Sequence, residues 1–187
     1  MGQLLRSPSG GVAKFFYIIP MLDSTENLLK AIELGEDTCL EFKDLRYNEN
    51  QVSEPHRNSM ADELAAMANT ASGCFILGIE DKSRKITGIP KDKLDIVENW
   101  IRNICNDLIV PPLFGKIRKI SIDTENGELA VIKVEVPKSL FVHQSPGGYF
   151  QRIGSSKRQM KPEILARLFK QISLGKVQNS ALSKRRQ

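Results

Sequence analysis

Two carboxylates and a lysine lie close together in residues 35–43, whose sequence is GEDTCLEFK. The β-branched and aromatic residues in the middle of this stretch favour a β-strand. Because alternate side chains of a strand share a face, we expect Glu41 and Lys43 to point the same way. Leu40 and Phe42 would point the opposite way, into a core. A carboxylate beside an ammonium group is unusual in a core, so the pattern predicts a polar groove along one face of the strand.

Glu36 can join this groove only if the chain turns before the strand. It lies an odd number of residues from Glu41, so the two side chains would face apart in a straight strand. Gly35 supplies the backbone freedom for such a turn. We therefore expect either that Glu36 sits in the turn or that the strand itself is bent.

A second acidic position follows residues 74–79 (CFILGI), an apolar run typical of a strand covered on both faces. Glu80 and Asp81 end this run. If a helix joins the two strands in parallel, Glu41 and Asp81 lie at the same carboxyl ends, where open α/β sheets place ligands. Converging carboxylates suit a hard divalent ion such as magnesium or manganese, which could activate water against a phosphodiester.

Each of these acids also has an ordinary structural interpretation. Glu41 and Lys43 could form an ion pair on a partly exposed strand, with little effect on stability. Asp81 could cap the turn after a strand, and Glu80 is the neighbour with which it could be confused. On residue type and spacing alone, these interpretations are favoured over catalysis.

The segment from Arg152 to Arg158, with the sequence RIGSSKR, is a third position suited to chemistry. Its glycine and two serines, Ser155 and Ser156, supply backbone and hydroxyl donors beside three cations, of which Lys157 is the third. That mixture suits contacts with phosphate groups. A solvated run of charges is the alternative, and the sequence leaves both open.

The chain has 187 residues and the composition of a soluble globular protein with one core. Its formal charge is +5, but residues 175–187 carry four basic and no acidic side chains. The rest of the chain holds 23 basic and 22 acidic side chains, so net charge says little about a nucleic-acid surface on the body. We expect residues 175–187 to form a disordered basic tail.

The three cysteines are widely separated and form neither a Cys-x-x-Cys pair nor a disulfide framework. This usage suits a reducing, cytoplasmic compartment. Residues 12–22 are mostly apolar but too short for a membrane span, so no membrane partner is expected. A methionine directly precedes the first helix start, and we interpret residues 1–22 as an N-terminal arm or a misassigned start.

Hydrophobic spacing predicts the order helix, strand, helix, strand, helix, hairpin, strand, helix. This order indicates a single α/β (α+β) domain over residues 23–174, with a mixed sheet, a C-terminal β-hairpin and flanking helices. The hairpin is expected over residues 117–136. The polar residues 44–56 are interpreted as a long loop, and Asn58 or Ser59 as the cap of the helix that follows.

Taken together, the motifs GEDTCLEFK, MANTASGCFILGIED and YFQRIGSSKR, with a closing helix, resemble the Schlafen-type AlbA-like domain (Schlafen AlbA-2). The resemblance covers residues 26–172 and implies a nucleic-acid-binding α/β domain, often found in transcriptional regulators of bacteria and archaea. For the animal members that cut RNA it implies a metal-dependent site. The matching positions in this chain are Glu36, Glu41 and Asp81, with Lys43 beside them in the Glu-Phe-Lys motif.

Three hypotheses follow. The first is a nucleic-acid-binding module in which a basic surface of Arg152, Lys157 and Arg158 holds phosphates. Such a module could act as a homodimer. The second is a magnesium- or manganese-dependent endoribonuclease that uses Glu36 and its partner acids. The third is a regulatory domain whose activity lies in a partner. The sequence has no Gly-x-x-x-x-Gly-Lys-Ser/Thr motif, so nucleotide (ATP) binding is kept only as a minor alternative.

Overall fold

A computed structural model describes Leu22 and residues 24–124 and 127–171. Apart from Leu22, the N-terminal arm predicted for residues 1–22 lies outside the described residues, and so does the basic tail predicted for residues 175–187.

Helices and strands alternate along the described part of the chain. The helices are α1 (Thr25–Leu34), α2 (Arg57–Thr70), α3 (Leu94–Asn103) and α4 (residues 162–171). The strands are β1 (Leu40–Lys43), β2 (Arg46–Asn48), β3 (Gln51–Glu54), β4 (Gly73–Leu77), β5 (Lys116–Thr124), β6 (Gly127–Val136), β7 (Gln144–Ser145), β8 (Gly148–Ile153) and β9 (Ser156–Gln159). Within the described residues, no helix combines the length and the apolar character that crossing a membrane requires.

A four-stranded sheet in the order β1, β4, β6, β5 forms the centre of the fold. β1 and β4 run parallel, with Glu41 opposite Phe75, whereas β6 is antiparallel to both of its neighbours. α2 connects the two parallel strands, so their carboxyl ends lie on the same side, as predicted. This mixed sheet, with its β5–β6 hairpin, confirms the predicted fold class.

Each face of the central sheet packs against its own apolar core. On one face, Phe75 belongs to a buried cluster that includes Leu64 of α2. On the other face, Phe42 and Ile76 pack in a cluster with Leu28 of α1. Every residue of β4 is buried because both of its faces are covered, which explains its continuous apolar sequence.

Gly73 allows α2 and β1 to approach β4 closely. A Cβ atom at this position would lie 2.5 Å from the Met67 sulfur and 2.6 Å from the Cys39 carbonyl oxygen. That same carbonyl accepts a hydrogen bond from the backbone N–H of Cys74 at 2.7 Å. The space is therefore already filled by the Met67 side chain and the Cys39 backbone, which only a residue without a side chain can tolerate.

Residues 44–56 do not form the long loop that we expected. β2 and β3 pair there as an antiparallel hairpin, with Tyr47 opposite Val52. Both side chains pack against the core cluster on the α2 face. The prediction was wrong because two apolar residues among polar neighbours are too few to show the alternating pattern of a strand. Packing of these two side chains against the core is nevertheless enough to hold the hairpin in place.

The cap of α2 was also predicted at the wrong residue. The capping residue is His56, whose Nδ1 accepts a hydrogen bond from the backbone N–H of Asn58 at 3.3 Å, and not Asn58 or Ser59. The apolar spacing predicts that this helix ends at Ala68, but it continues for two more residues to Thr70.

The last three strands form a ribbon that is separate from the central sheet and packs along α2. In this ribbon β8 is antiparallel to both β7 and β9, and Arg152 lies opposite Lys157. Gly154, with φ of 61°, stands in the turn between β8 and β9. The predicted phosphate-binding segment is therefore a hairpin whose two strands present different side chains to α2 and to solvent.

Candidate functional site: an acidic cluster beneath a basic ribbon

The turn before β1 is built by Gly35 and Asp37. Gly35 ends α1 with φ of 87°, a conformation that side chains rarely adopt. One oxygen of the Asp37 carboxylate then accepts hydrogen bonds from the backbone N–H groups of Cys39, at 2.7 Å, and Leu40, at 2.8 Å. Such an aspartate turn sets the direction in which β1 leaves the helix.

Glu36 lies in this turn, as required for it to approach Glu41. Its Oε1 accepts a hydrogen bond of 2.6 Å from the backbone N–H of Phe42. β1 is an edge strand of the central sheet, so this N–H has no neighbouring strand to pair with. The Glu36 side chain therefore provides the hydrogen-bond acceptor for this N–H at the edge of β1. This bond holds the side chain over the carboxyl-terminal half of the strand.

The predicted acids come together around Glu36. Burial raises the pKa of Glu36 to about 7, even though the hydrogen bond from Phe42 favours the charged form. The negative charges of Glu41 and Asp81, and a hydrogen bond with the Asp81 side chain, raise the pKa further. The structure therefore brings Glu36, Glu41 and Asp81 into one interacting group, and Glu36 exchanges its proton near neutral pH.

This raised pKa predicts a pH dependence of stability. Between pH values of about 4.5 and 7, folded Glu36 holds a proton that the unfolded chain releases. The contribution of Glu36 to stability is therefore complete below pH 4.5 and is lost as the pH rises through about 7. Because the side chain is only partly buried and solvent screens its charge, we expect about 1 kcal/mol across this window.

Urea unfolding at pH values between 5 and 8 measures this effect. Glu36→Gln keeps the oxygen that accepts from Phe42 but cannot ionise, so its stability relative to the wild type should rise with pH. Glu33→Gln, at an exposed position of α1, is the control and should follow the wild type. A parallel pH profile for Glu36→Gln and the wild type would show that Glu36 does not titrate in this range.

Glu41 is buried and forms ion pairs with two cations. Its Oε1 lies 2.7 Å from Nζ of Lys43, and its Oε2 lies 2.7 Å from a terminal nitrogen of Arg152. Lys43 also lies 2.9 Å from Glu63 on α2. Burial works against the charge on Lys43, but the carboxylates of Glu63 and Glu41 outweigh it and raise the pKa of Lys43. The groove predicted for Glu41 and Lys43 is thus filled by a four-residue ion-pair network.

This network does not fit a metal centre formed by three carboxylates. Both oxygens of Glu41 are engaged by cations, and the positive charges of Lys43 and Arg152 repel a metal ion that approaches this carboxylate. Within residues 24–124 and 127–171, no group of three histidine, cysteine, aspartate or glutamate side chains is arranged to hold a metal ion. The use of magnesium or manganese through Glu36, Glu41 and Asp81 stays a prediction.

Arg152 is not part of the basic surface on which we expected it. Its side chain is 1% exposed because β8 packs along α2 and directs the guanidinium inward. Besides Glu41, the same terminal nitrogen lies within hydrogen-bonding distance of the carbonyl oxygens of Ser155 and Asp37, at 3.0 and 3.2 Å. Arg152 therefore anchors the ribbon to the β1 turn instead of facing solvent.

Two residues that the sequence analysis did not single out hold the ribbon in place. The Asn69 side chain donates to the carbonyl oxygens of His143 and Phe150, at 2.8 and 3.0 Å, and accepts from the His143 N–H at 2.7 Å. The Thr70 hydroxyl accepts from the Arg152 N–H at 2.7 Å. The sequence does contain a signal for this role, since an asparagine and a threonine stand at the end of an alanine-rich helix. Such polar side chains need hydrogen-bond partners when they are buried.

The other ribbon residues divide between its two faces. Lys157 points toward α2, with Nζ 3.3 Å from Asp62 and 5.0 Å from the centre of the Phe150 ring. Arg158 lies on the opposite face and is exposed, as are Ser155 and Ser156 at the tip. The ribbon thus presents two hydroxyls and one guanidinium to solvent.

Comparison with known proteins identifies a family that spans both parts of this site. A family model described as Schlafen, AlbA_2 matches residues 36–161, from the acidic turn to the end of the ribbon. Among solved structures, the crystal structure of the DIP2311 protein from Corynebacterium diphtheriae is similar, with 26% identity and a TM-score of 0.47. That match covers 66% of this chain and 22% of the other.

Proposed function

This chain belongs to the Schlafen AlbA_2 family, and on that premise we propose that it binds nucleic acid through the exposed end of the β8–β9 ribbon. Membership supports a nucleic-acid-related function. The observation that carries the proposal is a hairpin whose root is fixed and whose tip is exposed. Hydroxyls, backbone N–H groups and a guanidinium at such a tip are the donors that proteins use to contact phosphate oxygens.

The root of the hairpin is rigid because α2 and β1 both hold Arg152. Its backbone N–H bonds to Thr70 at the end of α2, and its guanidinium pairs with Glu41 of β1. Lys157, on the partner strand, pairs with Asp62 of α2. Because these bonds are formed inside the protein, the tip needs little further ordering when a phosphate binds, which favours affinity.

The exposed cations near the tip indicate that a nucleic-acid backbone would run from the ribbon toward α4. Arg158 follows the two exposed serines, and Lys161 is exposed just after β9. On α4, Arg167 and Lys170 are also exposed. Basic side chains along the ribbon and the next helix would let the protein contact consecutive phosphates and release counterions on binding.

Cleavage of a phosphodiester is the second candidate function, and a specific observation favours it. Glu36, Glu41 and Asp81 come from two separate segments, yet they interact with one another, and Glu41 contacts Arg152 of the ribbon. A substrate phosphate held at the ribbon would then lie on the side of the fold that carries these acids. Because Glu41 is paired with Arg152, Glu36 and Asp81 are the carboxylates that we expect to act on it.

One binding and cleavage experiment tests both functions. Fluorescein-labelled transfer RNA and a DNA duplex would be titrated with the protein between 50 and 300 mM salt, about the range in which counterion release dominates. Arg158→Ala should weaken binding by about threefold to tenfold and reduce the salt slope by about one. Arg46→Ala, an exposed arginine on β2, is the matched control and should leave both unchanged.

The products would be resolved on gels, with manganese in one arm and a chelator in the other. Binding without cleavage supports a recognition module. Cleavage that Glu36→Gln abolishes while binding is kept supports a nuclease. If the wild type binds neither nucleic acid, or if Arg158→Ala and Arg46→Ala behave alike, the ribbon is not the binding surface.

A further inference from the structure

A second concave site lies between the segment that follows α3 and the segment that follows β6. It is a pocket of about 280 Å³. Most of its walls are apolar: Pro111, Pro112, Phe114, Pro137, Leu140 and Phe141. Phe114 is 78% exposed and Phe141 is 51% exposed, so two aromatic rings are available at its rim.

The polar ring that borders this pocket has an acceptor without a partner. His143 is 2% exposed, and its Nδ1 lies 2.7 Å from the carbonyl oxygen of Pro111. A carbonyl can only accept, so Nδ1 carries the hydrogen and Nε2 is left as an acceptor. Nε2 is buried and has no hydrogen-bond partner among the described residues. A buried acceptor in this state calls for a donor from outside.

The His143 ring stays neutral, so Nε2 keeps its lone pair. Burial lowers the pKa of His143, the hydrogen bond to Pro111 opposes this, and the positive charge of Lys138 lowers the pKa further. Beside its flat apolar surfaces the pocket thus has one acceptor for an N–H or O–H group, which is buried and is reached only when a side chain at the rim moves.

The charge around the pocket favours an anionic ligand. Lys116 is exposed two residues after Phe114, and Lys138 lies between two residues that line the pocket. Of the carboxylates near these segments, Glu135 on β6 is paired with Lys133 at 3.0 Å, and Asp107 is exposed in the segment after α3. The Lys138 ammonium also donates to the carbonyl oxygen of Asn69, so Lys116 is the lysine beside the pocket that we expect to contact a phosphate of a bound group.

We propose that this pocket binds an unpaired nucleobase, so that the protein prefers single-stranded to duplex nucleic acid. The inference rests on the proposed nucleic-acid binding and names the form of the ligand. A base can stack on Phe114 and Phe141 while one of its N–H groups donates to Nε2 of His143. In a duplex the base is stacked and its N–H group is already paired.

The base would enter past Leu140. This side chain is 85% exposed, so it can turn aside without breaking core contacts. An aliphatic ligand would leave Nε2 without a donor, and an acidic peptide would place no flat ring against the phenylalanines. The nucleobase therefore satisfies the apolar walls, the acceptor and the flanking positive charge together.

The pocket is also connected to the ribbon. Asn69 bonds to both the N–H and the carbonyl of His143, and the next residue, Thr70, bonds to Arg152. One end of α2 therefore positions the proposed base pocket and the root of the phosphate-binding hairpin.

Four 12-nucleotide probes test the proposal by fluorescence anisotropy with the full chain. They are oligothymidylate, an abasic strand with the same phosphates, oligothymidylate methylated at N3, and oligothymidylate paired with oligoadenylate. We expect oligothymidylate to bind about tenfold more tightly than the abasic strand and the duplex. The methylated strand should bind more weakly than oligothymidylate because it lacks the N–H donor.

Variants separate this pocket from the ribbon. Phe114→Ala should remove most of the preference for oligothymidylate and leave abasic binding unchanged. Leu34→Ala, at an 85% exposed apolar position of α1, is the control and should keep the preference. His143→Gln, checked for folding by circular dichroism, should remove the difference between the methylated and unmethylated strands.

Several outcomes would overturn the proposal. Equal binding of base-containing and abasic strands, both weakened by Arg158→Ala, leaves the ribbon as the binding site and removes the base pocket. A preference that survives Phe114→Ala places base recognition elsewhere. Self-association that Phe114→Ala abolishes would assign the pocket to a second copy of the chain. Absence of binding by every probe overturns both the pocket and the proposed function.

Discussion

Arg152→Met is expected to lower the free energy of unfolding by about 3 kcal/mol. The substitution leaves Oε2 of Glu41 buried without its partner, because only Lys43 on Oε1 remains. Removing one member of a buried ion pair is strongly destabilising, since the remaining charge keeps its desolvation penalty without compensation. Arg152 is 1% exposed and Glu41 is 9% exposed, so water cannot replace the lost contact.

Urea unfolding, followed by circular dichroism, measures this loss. The double variant Arg152→Met with Glu41→Gln should lose less stability than the sum of the two single variants, because the neutral amide no longer needs a cation. Arg102→Met is the matched control: its pair with Glu98 has the same 2.7 Å distance, but the arginine is 52% exposed. We expect a change below about 1 kcal/mol there. Equal effects at Arg152 and Arg102 would contradict the anchoring role.

Asn69→Ala is expected to cost about 3 kcal/mol or more, because three buried backbone groups lose their partner. The carbonyl oxygens of His143 and Phe150 and the N–H of His143 all bond to this one side chain. Each group left unsatisfied costs about 1–3 kcal/mol, and the ribbon and pocket would loosen together. Nucleic-acid binding should therefore weaken at temperatures at which the variant is still folded.

A second substitution shows whether the donors of Asn69 are responsible. Asn69→Asp keeps an acceptor for the His143 N–H but cannot donate to the two carbonyl oxygens when ionised, so it should destabilise at neutral pH as much as alanine does. Asn48→Ala, an exposed amide on β2, is the control and should change the free energy of unfolding by less than about 0.5 kcal/mol. Full stability of Asn69→Asp would show that the two donated bonds contribute little.

The acidic cluster shows which features of the site can be predicted from the local sequence pattern. The two-residue period of β1 places Glu41 and Lys43 on one face, and the helix between the two strands makes β1 and β4 parallel. Gly35 lets the chain turn so that Glu36 reaches the same region. These relations act over a few residues and depend on backbone geometry, which is why they could be predicted.

The partner of Glu41 could not be predicted in the same way. Arg152 lies 111 residues further along the chain, and its segment pattern indicated an exposed run of charges. Packing of β8 along α2 decides that Arg152 points inward while Arg158 points outward. No short-range period distinguishes the two arginines.

The sequence by itself determined the α/β class, the β5–β6 hairpin and the position of Glu41 and Lys43 on one face of β1. It did so because alternation, helix caps and turn residues are local. The tertiary structure alone decided that Glu41 is neutralised and that Asn69 joins the ribbon to the pocket at His143. Those outcomes depend on which buried polar groups meet across distant segments, and each such group must find whichever partner packing brings within reach.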